Sequence, residues 1–151
     1  MTFSINLANV SAAISGISIS GITIKDKDEV SASWVSLPNV LYPKPDGWVS
    51  DLSIEYDSVL QGLSAPSTVS YNLNYRFLGV QVGDSSIFPV AYSDLIDKLI
   101  LVINGLVAIS GPYSGKVEMQ IGNLDIGPKA DPAGNNFFGA DIQLHIKELQ
   151  N

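Results

Sequence analysis

The chain's one histidine, His145, stands in Leu144-His145-Ile146. An imidazole can act as a general base, but it needs a nucleophile or an orienting carboxylate within hydrogen-bond reach. On the same strand face the candidate is Asp141, and four residues of extended chain separate the two by about 13 Å. His145 therefore reads as a solvated or interface side chain on the polar side of a strand. The loop containing Asp125, Asp131-Pro132-Ala133-Gly134 and Asn135-Asn136 offers oxygen ligands for a cation. It lacks the spacing and closing Glu of an EF-hand. Asp and Asn bonding their own backbone, with Gly supplying positive φ, explain it as turn chemistry. Asp46, Asp51, Glu55 and Asp57 cluster along one hairpin region and could supply paired carboxylates for glycoside chemistry. With Trp34 and Trp48 as a stacking platform they would make a sugar site. The plainer reading is solvated acids, and tryptophans packed at a sheet rim or interface.

No phosphate-binding loop, dinucleotide fingerprint, HExxH or GxSxG motif occurs. Cysteine is absent, which removes disulfides, thiol nucleophiles and Cys-based zinc sites. The formal net charge is -7 and Arg76 is the sole arginine. Such a chain is a poor candidate for gripping phosphates. These observations predict a non-catalytic protein with no catalytic residues, no metal site and no cofactor.

Elements must position these residues, and hydrophobic periodicity predicts them. Residues 4–15 carry Leu7, Val10, Ala13 and Ile14 at helical spacing, with Ser4 as cap and Gly16 as stop. A strand is expected around 20–25, followed by the solvated run Lys25-Asp26-Lys27-Asp28-Glu29. Pro43, Pro45 and Asp46-Gly47 predict a short edge strand at 39–42 and then a stiff loop. Leu52, Ile54 and Tyr56 alternate with polar residues, as do Val69, Tyr71, Leu73, Tyr75 and Phe77. A hairpin through 61–66 joins the two strands. Residues 88–107 form the main helix, with Tyr92, Leu95, Ile96, Leu99, Val102, Ile103 and Leu106 as one apolar stripe. Val117, Met119 and Ile121 mark another strand, and Ala140, Ile142, Leu144 and Ile146 the last. A long Gly/Pro/Asn loop over 122–136 is expected between them.

At 151 residues, with 46% hydrophobic and 15% charged residues, the chain suits a single domain over 1–151. The expected class is α+β, a mostly antiparallel sheet with one face covered by one long and one short helix. The opposite, polar face meets water or another subunit. The start lacks the basic segment of a signal peptide. Residues 95–109 are too short and too polar to span a bilayer, so no membrane association is expected.

The order of these elements, the loop Tyr42-Pro43-Lys44-Pro45-Asp46-Gly47-Trp48 and the closing stretch Asp131-Pro132-Ala133-Gly134-Asn135-Asn136-Phe137-Phe138-Gly139-Ala140-Asp141-Ile142 resemble tail proteins of long-tailed bacteriophages. The resemblance is closest to the tail terminator, or tail completion, family. It covers the whole layout and is carried most by 42–51 and 131–144. It implies a structural virion protein, located in the tail and assembled in the host cytoplasm. It implies a homo-hexameric ring that caps the tail tube and joins it to the head-tail connector. The implied partners are the tail tube protein and a neck or head-completion protein. DNA would pass through the lumen without specific binding, which the acidic balance fits. The resemblance makes Tyr42, Pro43, Lys44, Pro45, Asp46, Trp48, Asp131, Asn135, Asn136, Phe137 and Phe138 the expected oligomer or partner contacts. Two other readings stay open: another tail or neck protein such as a tail tube, and an acidic carbohydrate-binding module or enzyme.

Overall fold

The computed structural model describes residues 3–31, 38–56, 67–81, 88–109, 111–113 and 117–150. Its elements are α1 (Phe3–Ser15), β1 (Thr23–Ile24), a 3-10 turn (Lys27–Glu29), β2 (Val40–Pro43), β3 (Val49–Tyr56), β4 (Ser67–Gln81), α2 (Phe88–Ile109), β5 (Gly111–Tyr113), β6 (Val117–Ala130) and β7 (Asn136–Gln150). The strands join one sheet in the order β1-β2-β4-β7-β6-β5, with β3 also pairing β4. Every pairing is antiparallel except the two-residue contact of β1 with β2. This is the expected α+β fold, with one long and one short helix on one face.

Alternation in β4 and β7 decides which face is covered. Tyr71, Leu73, Tyr75 and Phe77 of β4 are buried, as are Ala140, Ile142, Leu144 and Ile146 of β7. They meet Leu95, Leu99, Val102 and Leu106 of α2 and Val10 and Ile14 of α1 in one core. Burying each large side chain stabilises by about 1.5–3 kcal/mol before entropy. Their alternates, among them Asn72, Asn74, Arg76, Gln143 and His145, line the opposite face. No helix among the described residues is long and apolar enough to cross a membrane.

Several elements differ from expectation. α1 starts at Phe3, so Ser4 lies within its first turn rather than at its cap. The strand expected near 20–25 shrinks to Thr23–Ile24, preceded by an Ile19–Ile22 bridge that turns through Gly21 at φ 80°. Ile96 does not belong to the inward stripe of α2 and is exposed. Leu52 and Ile54 are exposed as well, because the helices do not reach over β3.

The expected loop over 122–136 is mostly strand. β6 runs to Ala130, and only 131–135 turn before Asn136 pairs with Ala130. Composition misled here because this half of β6 is an edge. β5 pairs only with 117–119, and no described strand lies outside the rest. An edge tolerates Pro128, and a register shift between Ile121 and Leu124 absorbs Gly122-Asn123.

The polar face is not polar throughout. All four residues of β2 are buried. Val40, Tyr42, Leu78 and Phe137 make a second, smaller apolar cluster at this end, with Val30 against it.

Glu148 is fully buried, and the Tyr71 hydroxyl donates to its Oε1 at 2.8 Å. Burial, then the bond and charge of Glu148, push the tyrosine hydroxyl well above its usual range. Tyr71→Phe should cost about 1–2 kcal/mol, the loss of a buried hydrogen bond to a carboxylate. Glu148→Gln keeps an acceptor for that hydroxyl and should cost less. Urea unfolding midpoints measure both, and the reverse order would refute this account.

Candidate functional site

The site is built around an excursion between β2 and β3. These two strands lie end to end along one edge of β4, β2 on residues 75–78 and β3 on 67–73. Between them the chain leaves the sheet through Lys44-Pro45-Asp46-Gly47-Trp48. Asn74 of β4 clamps both ends. Its carbonyl accepts from the Lys44 amide at 3.0 Å, and its amide donates to the Trp48 carbonyl at 2.8 Å. Its side-chain Nδ2 donates to the Gly47 carbonyl at 2.9 Å and to Ser50 Oγ at 2.8 Å. Gly47 holds φ 83°, a conformation few residues other than glycine accept. The two prolines and this clamp make the loop stiff.

The second wall is the β6–β7 turn. The Asp131 amide donates to the Asn135 carbonyl at 2.8 Å. Asp131 Oδ1 accepts from the Asn135 amide at 2.8 Å, and Oδ2 from Asn135 Nδ2 at 3.1 Å. Gly134, at φ 93°, completes the turn.

Arg76 ties the two walls together. Sheet register sets Tyr42, Arg76, Asp141 and Asp125 in one row across β2, β4, β7 and β6. Arg76 Nε donates to Asp141 Oδ1 at 2.6 Å and Nη2 to Oδ2 at 3.0 Å, a two-pronged pair. Its Nη1 donates to the Ala130 carbonyl at 2.8 Å, at the entry to the turn. Lys129 Nζ lies 3.6 Å and Lys44 Nζ 3.8 Å from Asp141 Oδ2, and Lys129 also pairs with Asp125 at 2.6 Å. Burial opposes the Asp141 charge. The hydrogen bonds and charge of Arg76, then the charges of Lys44 and Lys129, outweigh it and hold the carboxyl below its usual range. Burial pushes the Tyr42 hydroxyl up to about 12, with Arg76 pulling the other way. Between the walls lies a cavity of about 490 Å³, lined by Tyr42, Lys44, Pro45, Asp46 and Arg76 on one side and Ala130, Asp131 and Pro132 on the other.

The structure thus brings together the two segments that carry the resemblance. Lys44, Pro45 and Asp46 face Asp131 across the cavity. Asn135 braces the turn and Asn136 is exposed beside it. Trp48 packs half-buried against the main core, with Lys27 Nζ 6.0 Å from its ring centroid. Tyr42, Pro43, Phe137 and Phe138 are buried inside the chain, so their apolar surface is already used.

The other candidates are not assembled. His145 is exposed and bonds Asn72 through Nδ1 at 3.0 Å, across the β4–β7 pair. Asp125 is engaged by Lys129 and Asp131 by Asn135, so they do not converge. No cluster of metal-ligating side chains occurs among the described residues. Asp51 accepts from Asn72 Nδ2 at 2.8 Å, Glu55 is exposed, and Asp46 belongs to the cavity instead. Trp34 and Asp57 lie outside the described residues, as does the link through 61–66. The Arg76–Asp141 pair was missed by sequence reasoning. The one arginine, on the polar side of the cleanest alternating strand, was its available signal.

Comparison with known protein families and with curated proteins gives no match for this chain.

Proposed function

We propose that this chain is a structural protein of a bacteriophage tail, a tail terminator. It forms a homo-hexameric ring that caps the tail tube and meets a neck or head-completion protein. The observation that carries the reading is the use of the charged groups at the end of the sheet. Arg76, Asp141, Lys129 and Asp131 are spent on bonds that fix the β6–β7 turn and the strands beside it, and Asp141 also lies 3.8 Å from Lys44 of the loop. Such groups set a rigid surface and leave little for acid-base or nucleophilic work. A stiff loop beside a braced turn suits a docking surface between large assemblies. A net charge of -7 suits a lumen that lets DNA pass without holding its phosphates.

Light scattering and negative-stain electron microscopy of the purified protein test this. Closed sixfold rings that do not stack are the expected result. Open tubes would place the chain with tail tube proteins instead. A monomer whose melting temperature rises with added oligosaccharide would reject the structural role.

A further inference from the structure

The helices are narrower than the sheet. α2 lies over β4 and β7 and reaches β6 only at its margin. Its direction is fixed at both ends. Near its start, the Tyr92 ring packs at a tilt against Phe138, which pairs with Pro128 of β6. Just after its end, Gly111 pairs with Met119 of β6. The helix therefore runs alongside β6 from the Pro128 end to the Met119 end. One flank of α2 is closed, because Ile17 and Ile19 pack against Gly105. The opposite flank, on the Tyr92 side, carries Ile96 and Ile100, which are 38% and 52% exposed. Beside it on β6, Leu124 and Ile126 stand across from buried Ile142 and Ala140, hence on the helix side, and each is 43% exposed. Asp125 between them pairs across from Asp141 and belongs to the other face.

The far margin of the sheet repeats the pattern. Ile54 stands across from buried Val69, and Leu52 lies beside it in the register shift between Ser50 and Ser53. Both are 56% exposed. No described strand lies outside β3, nor outside β6 beyond Met119. One chain thus has two apolar margins, at opposite edges of its sheet, each on a strand stretch with no described neighbour on its outer side.

We infer that the β3 margin of one copy packs against the β6–α2 margin of the next, and that this head-to-tail contact builds the oligomer. Two unlike patches on one molecule generate a ring or an open helix, never a closed two-fold pair. A second copy is the occupant because the chain itself supplies both halves of the contact. A lipid surface fits poorly: no basic residue stands among these six, and the chain carries -7 overall. Pro128 and the register shift at 121–124 limit backbone pairing along β6, so the contact is side-chain packing with the strands side by side. The inference rests on the ring reading above and says which surfaces close the ring.

Complementary charge variants test it. Ile54→Lys and Ile126→Glu are made singly, and circular dichroism checks the fold of each. Each single variant should need about tenfold or more higher concentration to assemble than the unaltered chain, since tenfold corresponds to one well-buried aliphatic side chain. An equimolar mixture should regain assembly with both variants in equal amount. Copies that alternate put the introduced lysine opposite the introduced glutamate at every second contact and leave the other contacts unaltered. Rings from both single variants would overturn the inference and leave the ring reading standing. So would loss of assembly with Ile126→Glu alone, which would mark a like-with-like contact, or a mixture that stays dissociated. A monomeric unaltered chain would overturn both.

Discussion

Arg76→Met should destabilise the fold by about 2–3 kcal/mol at neutral pH, somewhat below the range for breaking a fully buried ion pair. The discount reflects exposure, since the paired side chains are 21% and 25% accessible. The change removes both prongs to Asp141 and the donor to Ala130. Lys44 and Lys129 remain near Asp141 but lie farther off. The pH dependence identifies the cause. The Asp141 carboxyl is held below its ordinary value, so its contribution is fully present above the unfolded value. That contribution is lost as pH falls through the folded one. The unaltered and variant proteins should therefore differ most above about pH 5, and the gap should begin to shrink as pH falls below the ordinary aspartate value of about 3.9. Denaturant unfolding across this range measures the difference. A gap that stays constant down to pH 3 would show that the guanidinium acts through packing alone. In the variant the Asp141 titration midpoint, read by NMR, should move up, since burial then meets weaker opposition.

Gly139→Ala should be at least as damaging, at about 3 kcal/mol, the upper part of the range for an overpacked core. A Cβ at this position would run into the Phe77 carbonyl oxygen, with Leu78 Cδ2 at 3.3 Å and Lys129 Cγ at 3.4 Å. The obstacle is backbone of the neighbouring central strand and cannot swing aside as a side chain would. For a chain of this size the loss corresponds to a melting temperature lower by roughly 6–12 °C. Gly127, the residue across from Gly139 on β6, is the control. A Cβ there meets nothing within 4 Å. Gly127→Ala should be neutral or stabilise by up to about 1 kcal/mol through the smaller entropy of the unfolded chain. Equal melting shifts for the two variants would refute the steric account.

The parts of the fold that were legible in the sequence are those where one local period settles the outcome. β4 and β7 alternate cleanly, and their inward sets are the core. The inward stripe of α2 was legible in Leu95, Leu99, Val102 and Leu106, but Ile96 was not. Apolar residues continue round this helix to Ile100, Leu101 and Val107, so periodicity defines no unique edge to the stripe. The outer half of β6 was illegible because an edge strand tolerates the same glycine and proline that mark a loop. At the site, the two segments were legible as turn chemistry, but their meeting was not. It depends on register between residues 65 apart, Arg76 and Asp141, which no local pattern encodes. Phe137 and Phe138 carry no mark in the sequence that separates core from contact surface.

The order of strands also bears on when the protein can fold. β7 is made last of the strands, yet it lies between β4 and β6 at the middle of the sheet. Its partner β6 is its hairpin neighbour and can pair at once, whereas Tyr71 of β4 waits for Glu148, 77 residues later. On a ribosome β4 emerges with neither flank of the finished core available on its β7 side. Its inward face can meet α1 and α2 earlier, but its β7 edge stays unpaired until Asn136–Gln150 has been added. Such a chain folds late and all at once, with slow closure of its non-local pairs and an interval in which an apolar strand can pair wrongly.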